Sequence, residues 1–549
     1  MKFKYLKYTW FSGLLFFLSC NQSFLDPANP AAIGSDEVWN DPKLVEMLVN
    51  GFYNDRPGYD YSNWLDNITD EARNNYPGFV PNRILIGQWD QVSNPIGFWA
   101  YTEVRKTNEF MARIDSAPIE ESLKTRLKGE TRFLRAFLYY DMVIRYGGIP
   151  IIDKPQSIED DLEVKRNTTE EVFLFITKEL DIAINELPLN APRGRAGKEA
   201  AMALKGRALL YFASPLYNPT ADNLRWEKAA KANEEIIKLG KFELYPNLNS
   251  LWLDKTQTHK ESIYEIQYRL PEKEHSWDAG LRPLRLANNN AGQMSPLQEL
   301  VDAFPMKNGK SISDPSSGFD PKNPYVGRDD RFYAFIAFNG SKMKGTQTGP
   351  PVKEITLETY KGGLDYDSNP LWIIYNTKTS YYTRKATDPE NTIYSGETGS
   401  SQPWIEIRYA EVLLNYAEAQ NEFLGNPDAS VYDAVNQVRR RAGITEDLKT
   451  GSLTKNTMRN LIRNERYIEF CFEKKRYWDV RRWKLATTLF NNKMYTGALI
   501  TKLANGEFSY QYLPVDPQPN VFTERMYFMP IPQVEISKNR NLVQNPGWN

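Results

Sequence analysis

Residues 129–152 read GETRFLRAFLYYDMVIRYGGIPII, and this stretch decides the fold class. From Glu130 to Tyr146 apolar side chains fall on nearly every face of a helical projection, with Phe133, Leu134, Phe137, Leu138, Tyr140 and Val143 among them. A helix that is apolar all round is buried on all sides, so other helices must surround it. Gly147-Gly148 ends it, because glycine adopts the left-handed conformation that closes helices. Downstream, Thr168 and Glu171 have the spacing of a capping box. Val172, Phe175, Ile176, Leu180, Ala183, Ile184 and Leu187 follow at three-to-four spacing until Pro188. Residues 200–217 and 226–239 predict two more helices, the first rich in Ala and Gly and so able to approach a neighbour closely.

Two successive helical hairpins with small residues at their contacts predict tetratricopeptide-like packing, although no strict 34-residue repeat is visible. Upstream, residues 36–53 read as a first helix. Eleven of the fifty residues from 52 to 101 are aromatic, set among Asn, Asp, Gly and Pro that favour loops. Residues 253–403 carry only short apolar runs between turn-forming clusters. Helices are expected again at 407–424, 428–442 and 454–485. The expected fold is therefore mainly α: a tetratricopeptide-like helical-repeat scaffold with a loop-rich insertion. Residues 31–252 form its amino-terminal helical region and 253–549 its carboxyl-terminal region, within one integrated fold.

The amino end reads as an export signal. Lys2, Lys4 and Lys7 precede an apolar stretch at residues 10–18, and Ser19-Cys20 follows. That stretch is too short to span a bilayer. Residues 1–19 are expected to be a lipoprotein signal peptide, Cys20 the lipid-attachment residue, and 20–30 a polar, proline-containing tether. Two or more acyl chains anchor a protein stably where one does not. The other cysteine, Cys471, sits in an apolar run and reads as a small buried hydrophobe, which leaves no disulfide framework. A net charge of −1 removes the general electrostatic case for nucleic acid.

Only two histidines occur, His259 and His275, without a nucleophile or metal-ligand companion at a recognised spacing, and HExxH, P-loop and GxSxG motifs are absent. No cofactor is expected. The Asp-rich turns at 314–320 and at Arg328-Asp329-Asp330 offer a possible structural calcium site, with solvated turns as the plainer reading. What the chain has in quantity is aromatic rings, at 13% of residues. Flat rings suit the apolar faces of pyranoses, and Asn, Asp and Arg suit their hydroxyls.

Several segments together resemble the SusD-like (RagB/SusD) family of Bacteroidetes outer-membrane glycan-binding lipoproteins. They are FLDPANP after Cys20, the 129–152 stretch, ESIYEIQY, SPLQELVDAFPMKNGKSISD, WIEIRYAEVLLNYAEAQNE, IRNERYIEFCFEKKRYWDVRRW and the terminal MPIPQVEISKNRNLVQNPGW, all in family order. Locally, RNERYIEFCFEKKRYWDVRRW reads as one helix with Glu465, Glu469, Arg476, Asp479 and Arg482 offering i,i+3 and i,i+4 charge pairs. Arg132, Arg135 and Asp141 read as buried structural partners.

The resemblance implies a non-catalytic surface protein. It would capture an oligosaccharide and deliver it, as a hinged lid, to a SusC-like TonB-dependent transporter. It also implies a ligand site in the loops. Asp66, Arg73, Trp89 and Asn94 are similar in order and spacing to the polar residues and aromatic platform of starch-binding members, and Trp64, Tyr76 and Trp277 are further platform candidates. Arg73, Arg83, Arg282 and Arg285 would tolerate uronic acids. Rival readings are the same lid for a peptide or other non-glycan cargo, a surface glycosidase using two of the 69 carboxylates, and a purely structural helical scaffold.

Overall fold

The computed structural model describes residues 35–54, 58, 65–75, 80–254, 260–287, 291–346, 349–366, 377–392 and 399–548. Cys20, Trp64, Tyr76 and His259 lie outside them, as do the signal and the tether. The longest helices are α1 (Pro42–Asn54), α2 (Tyr101–Arg113), α3 (Glu121–Tyr146), α4 (Thr169–Glu186), α5 (Lys198–Ala213), α6 (Asn223–Lys238), α7 (Tyr409–Phe423), α8 (Ala429–Arg441) and α9 (Lys455–Glu469), followed by the short α10 (Arg476–Arg482). The mainly α expectation holds. α3 to α6 pack each against the next, α7 packs on α6, and α8 and α9 pack on α7. The stack is thus continuous in space although about 170 residues separate α6 from α7 in the chain.

The buried helix read from residues 129–152 begins nine residues earlier than expected, at Glu121, and stops at Gly147 with φ +71°. Phe133, Leu134, Phe137 and Val143 are at most 1% exposed, and each such side chain contributes roughly 1.5–3 kcal/mol by leaving water. The capping box at the start of α4 is present: Glu171 N donates to Thr168 Oγ1 at 3.2 Å and Thr168 N donates to Glu171 Oε2 at 2.7 Å. Arg135 and Arg132 are structural partners as expected, both reaching Glu179.

Strands are few and short. β1 (Ala72–Arg73), β2 (Ser262–Ile266), β3 (Ser295–Pro296) and β4 (Trp404–Arg408) pair antiparallel, β1 with β3 and β2 with β4, and β5 (Thr496–Lys502) forms a hairpin with β6 (Phe508–Pro514). The β2–β4 pair closes the base of the insertion, so its ends meet beside the helical stack. Inside it a second core gathers Trp252, Trp277, Phe304, Phe332 and Phe335 against Ile468 of α9 and Cys471 just beyond its end. Cys471 is a buried free thiol, as its apolar run suggests, and burial pushes it well above its ordinary pKa.

Three helix expectations are corrected. The first helix breaks at Asp41, because the residue before Pro42 is disfavoured in the helical region and Asp41 instead accepts from Lys43 N at 2.8 Å. The 407–424 helix starts at Tyr409, since Ile407 and Arg408 belong to β4. The 454–485 helix is interrupted between α9 and α10, where Phe472 and Lys474 take φ values of +62° and +60°. Consequently most charges in this segment pair far away and not along one helix. Glu465 meets Arg439 and Arg331, Glu469 meets Arg408, Arg441 and Arg331, and Arg476 meets Asp70. Asp479 with Arg482, 2.8 Å apart, is the expected i,i+3 pair.

Candidate functional site

The interruption between α9 and α10 turns Lys474 and Lys475 towards a cavity of about 400 Å³. Its walls come from α3 (Tyr140, Asp141, Ile144, Arg145), α5 (Arg207, Tyr211), β4 (Trp404, Glu406), α10 (Trp478) and the loop at Ile96, Gly97 and Phe98. The volume falls within the range of about 300–1,000 Å³ typical of small-ligand sites.

At the base, Arg207 grips Glu411 with Nε and Nη2, both at 2.7 Å, and Glu406 with Nη1 at 2.7 Å. Lys475 Nζ lies 3.0 Å from Glu411, and Trp404 Nε1 donates to Glu406 Oε2 at 2.9 Å. Burial alone would raise the pKa of Glu411, but the Arg207 guanidinium and Lys475 ammonium outweigh it and hold the carboxyl well below its ordinary range. Burial likewise opposes ionisation of Glu473, and Arg408 and Lys385 overcome that cost. These wall carboxylates are ionised acceptors, whereas the acid of a glycosidase needs a raised pKa. Tyr140 and Tyr211 share a hydrogen bond, and desolvation pushes both hydroxyls up.

Near the mouth Arg145 lies 4.7 Å from the centre of the Trp478 ring and 5.4 Å from that of Phe98. Its Nε donates to Ile96 O at 3.1 Å, which fastens the loop, and Phe98 N donates to Tyr146 Oη at 2.8 Å. Asp141, expected to be a structural partner, is half-buried in the wall 3.6 Å from Arg145.

Among the described residues, those singled out in the sequence are not brought together as a surface platform. Trp89 is 5% exposed with its ring 4.7 Å from that of Trp548, so neither face is open to a sugar. Trp277 is 3% exposed and donates from Nε1 to Lys385 O at 3.1 Å. Arg73 is fully buried, bound to Asp516 at 2.7 Å and to main-chain carbonyls. Asp66 accepts from Lys474 N at 2.9 Å, and burial raises the pKa of its carboxyl and, together with the Asp66 charge, that of Glu71. These four residues support the fold. Asn94 is different: its Oδ1 accepts from Ile96 N at 3.2 Å, so it shapes the loop that lines the cavity.

Of the arginines read as tolerating uronic acids, Arg282 is buried near Asp278 and Arg285 is paired with Asp365, while Arg83 is exposed. His275 is buried against Gln402 O. In the Asp-rich turns, Asp314 and Asp320 accept from backbone N–H groups two residues on, Asp329 pairs with Arg331, and Asp330 with Lys307. Among the described residues no group of three or more His, Cys, Asp or Glu side chains is arranged to hold a metal ion, and no helix is long and apolar enough to cross a membrane. Sequence reasoning missed Phe98, Trp404 and Trp478 as cavity residues. The available signal was an aromatic residue beside a charge cluster, as in WIEIRYAE and KKRYWD.

The model of the SusD family matches residues 260–548. A second family model, described as "Starch-binding associating with outer membrane", matches residues 23–210. The chain belongs to the SusD family. It is 28% identical to SusD-like protein P2 of Formosa agariphila, over 94% of this chain and 90% of that one. It is 23% identical to the starch-binding protein SusD of Bacteroides thetaiotaomicron, over 82% of this chain and 78% of the other. A SusD-like protein from Bacteroides fragilis superposes with a TM-score of 0.78 at 31% identity, covering 94% and 98% of the two chains. A SusD-like carbohydrate binding protein from the same species gives 0.77 at 24%, covering 92% and 100%, and speaks to the fold alone.

Proposed function

We propose that this chain is a cell-surface glycan-binding lipoprotein. In this reading it is anchored at the outer membrane through Cys20, captures an oligosaccharide in the cavity beside Phe98 and Trp478, and passes it as a hinged lid to a SusC-like TonB-dependent barrel. The observation that carries the reading is the cavity itself, where aromatic rings stand beside ordered ion pairs, as sugar faces and hydroxyls require. The family description of starch binding and outer-membrane association agrees with it. Delivery requires that ligand contacts favour a closed state over an open one.

The test is calorimetric titration of the mature chain with panels of neutral glycans, charged glycans and peptides, alongside Phe98→Ala. Phe98 is half-buried on a loop and packs at the edge of the main core, so thermal unfolding of the variant is measured beside its binding. A glycan with a Kd between about μM and mM, weakened at least tenfold by Phe98→Ala without loss of thermal stability, is the expected result. Binding of peptides alone transfers the lid role to peptide cargo. Glycan binding untouched by Phe98→Ala removes the cavity from the reading. The barrel is tested by co-purification from outer membranes through a tag on this chain.

A further inference from the structure

The hairpin of β5 and β6 is covered along one edge and open along the other. Its register runs unbroken from Phe508 opposite Lys502 to Pro514 opposite Thr496. On the outer side of β5, Lys361 N donates to Ile500 O at 2.8 Å and Ala498 N donates to Thr379 O at 3.0 Å. Ile500 and Ala498 stand opposite Tyr510 and Tyr512. Residues that face each other in an antiparallel ladder aim their backbone groups both inward or both outward. Tyr510 and Tyr512 therefore aim theirs away from β5, and the alternation gives Phe508 the same direction. No hydrogen bond reaches these outward groups among the described residues.

An open strand edge is normally guarded by lysine, proline or a bulge. β6 has no charged residue, no bulge and no proline before Pro514 at its end. Gln511 to Pro514 are exposed, Tyr512 by 43%, so this edge faces solvent. The strand is also held from within the fold. The Phe508 ring lies 5.4 Å from that of Tyr360 and the Tyr510 ring 5.8 Å from that of Tyr325, which sets the strand before any partner arrives.

We infer that β6 pairs antiparallel with β6 of a second copy of this chain, about a two-fold axis through Tyr510. The stretch Phe508-Ser509-Tyr510-Gln511-Tyr512 reads aromatic, polar, aromatic, polar, aromatic, and so is mirror-symmetric in chemical type about its centre. The axis sets Tyr510 against its own copy, Phe508 against Tyr512 and Ser509 against Gln511, so that rings meet rings on one face and hydroxyl meets amide on the other. The outward N–H and C=O groups of Phe508, Tyr510 and Tyr512 bond reciprocally across the axis, and Pro514, which has no N–H, ends the ladder. A foreign partner steered by charge finds none on this strand. A two-fold axis brings like residues together, and there the absence of charge removes repulsion. This assembly goes beyond the glycan-binding reading and does not depend on it.

The test is sedimentation of the mature chain beginning at Asn21, without lipid, across a concentration series. A reversible dimer is expected. Tyr512→Pro removes an N–H that points outward, so the ladder within the hairpin survives, and the dimer should weaken at least tenfold with the melting temperature kept. Chains carrying Ser509→Cys and Gln511→Cys, which leave the backbone groups in place, are mixed and oxidised mildly. Residues 509 and 511 of opposite copies form a pair without backbone hydrogen bonds, whose Cα atoms lie about 4.5 Å apart, within disulfide reach. The mixed disulfide-linked dimer should exceed the product of either variant alone. A chain that stays monomeric throughout, a dimer that a folded Tyr512→Pro leaves intact, or the absence of a mixed link overturns the pairing. A monomer whose co-purification with an outer-membrane barrel is lost in Tyr512→Pro also overturns it, and gives the edge to the barrel.

Discussion

Glu469 shows how one side chain acquires its role from distance. It is fully buried, accepts from Arg408 Nη1 at 2.6 Å and from Arg331 Nη1 at 3.3 Å, and also binds Arg441. Glu469→Gln keeps the shape and removes the charge, leaving three guanidinium groups short of an anion. Removing one partner of a buried pair costs about 3–5 kcal/mol, so urea unfolding of Glu469→Gln should show a loss of that order. A loss under about 1 kcal/mol would show that the remaining partners re-pair. In the sequence Glu469 offers only neighbours three and four residues away, and its actual partners come from the insertion, β4 and α8. The same limit explains Trp89. A tryptophan in an Asn- and Gly-rich loop fits a platform or a core equally well, and Trp548, which settles it, lies at the other end of the chain.

At the level of elements, local signals did well where they are local. Thr168 with Glu171, Gly147 at the end of α3 and the small residues of α5 all act as their chemistry predicts. A Cβ added to Gly206 would lie 2.7 Å from Asn233 Oδ1 and 2.9 Å from its Cγ, so this glycine lets α6 approach α5. Asn233 donates from Nδ2 to Ala229 O at 2.8 Å and Gly206 O at 3.3 Å, which holds it in place. Gly206→Ala is expected to destabilise the protein by about 1–3 kcal/mol, as overpacking does. Asn233→Ala in the same chain should restore part of that loss, and a double-mutant cycle by denaturant unfolding reads the coupling. Additive losses would place the strain elsewhere. By contrast, the interruption between α9 and α10 has no local signal, because no Gly or Pro stands at Phe472 or Lys474. Long-range pairing of Arg476 with Asp70 and of Lys474 N with Asp66 holds it open.

For the whole molecule, the buried ion network joins the helical stack to the insertion, and its protonation sets stability in acid. Burial opposes ionisation of Glu411, Glu469 and Glu473, but their neighbouring cations prevail and hold all three below the ordinary value of 4.5. Because the folded pKa values are depressed, these groups stabilise the fold fully above pH 4.5, and that contribution is lost as pH falls through the folded values. Urea midpoints should therefore decline below pH 4.5, with Glu469→Gln showing a shallower decline than the parent. Equal slopes would remove Glu469 from the acid response. The sequence by itself determined the helical class, the family, the cap of α4 and the buried character of α3, since periodicity, capping and composition act within a few turns of chain. The tertiary structure alone decided which aromatic rings line a cavity, which charges meet, and where α9 stops. Those outcomes depend on segments hundreds of residues apart brought together by burial, and no local pattern records them.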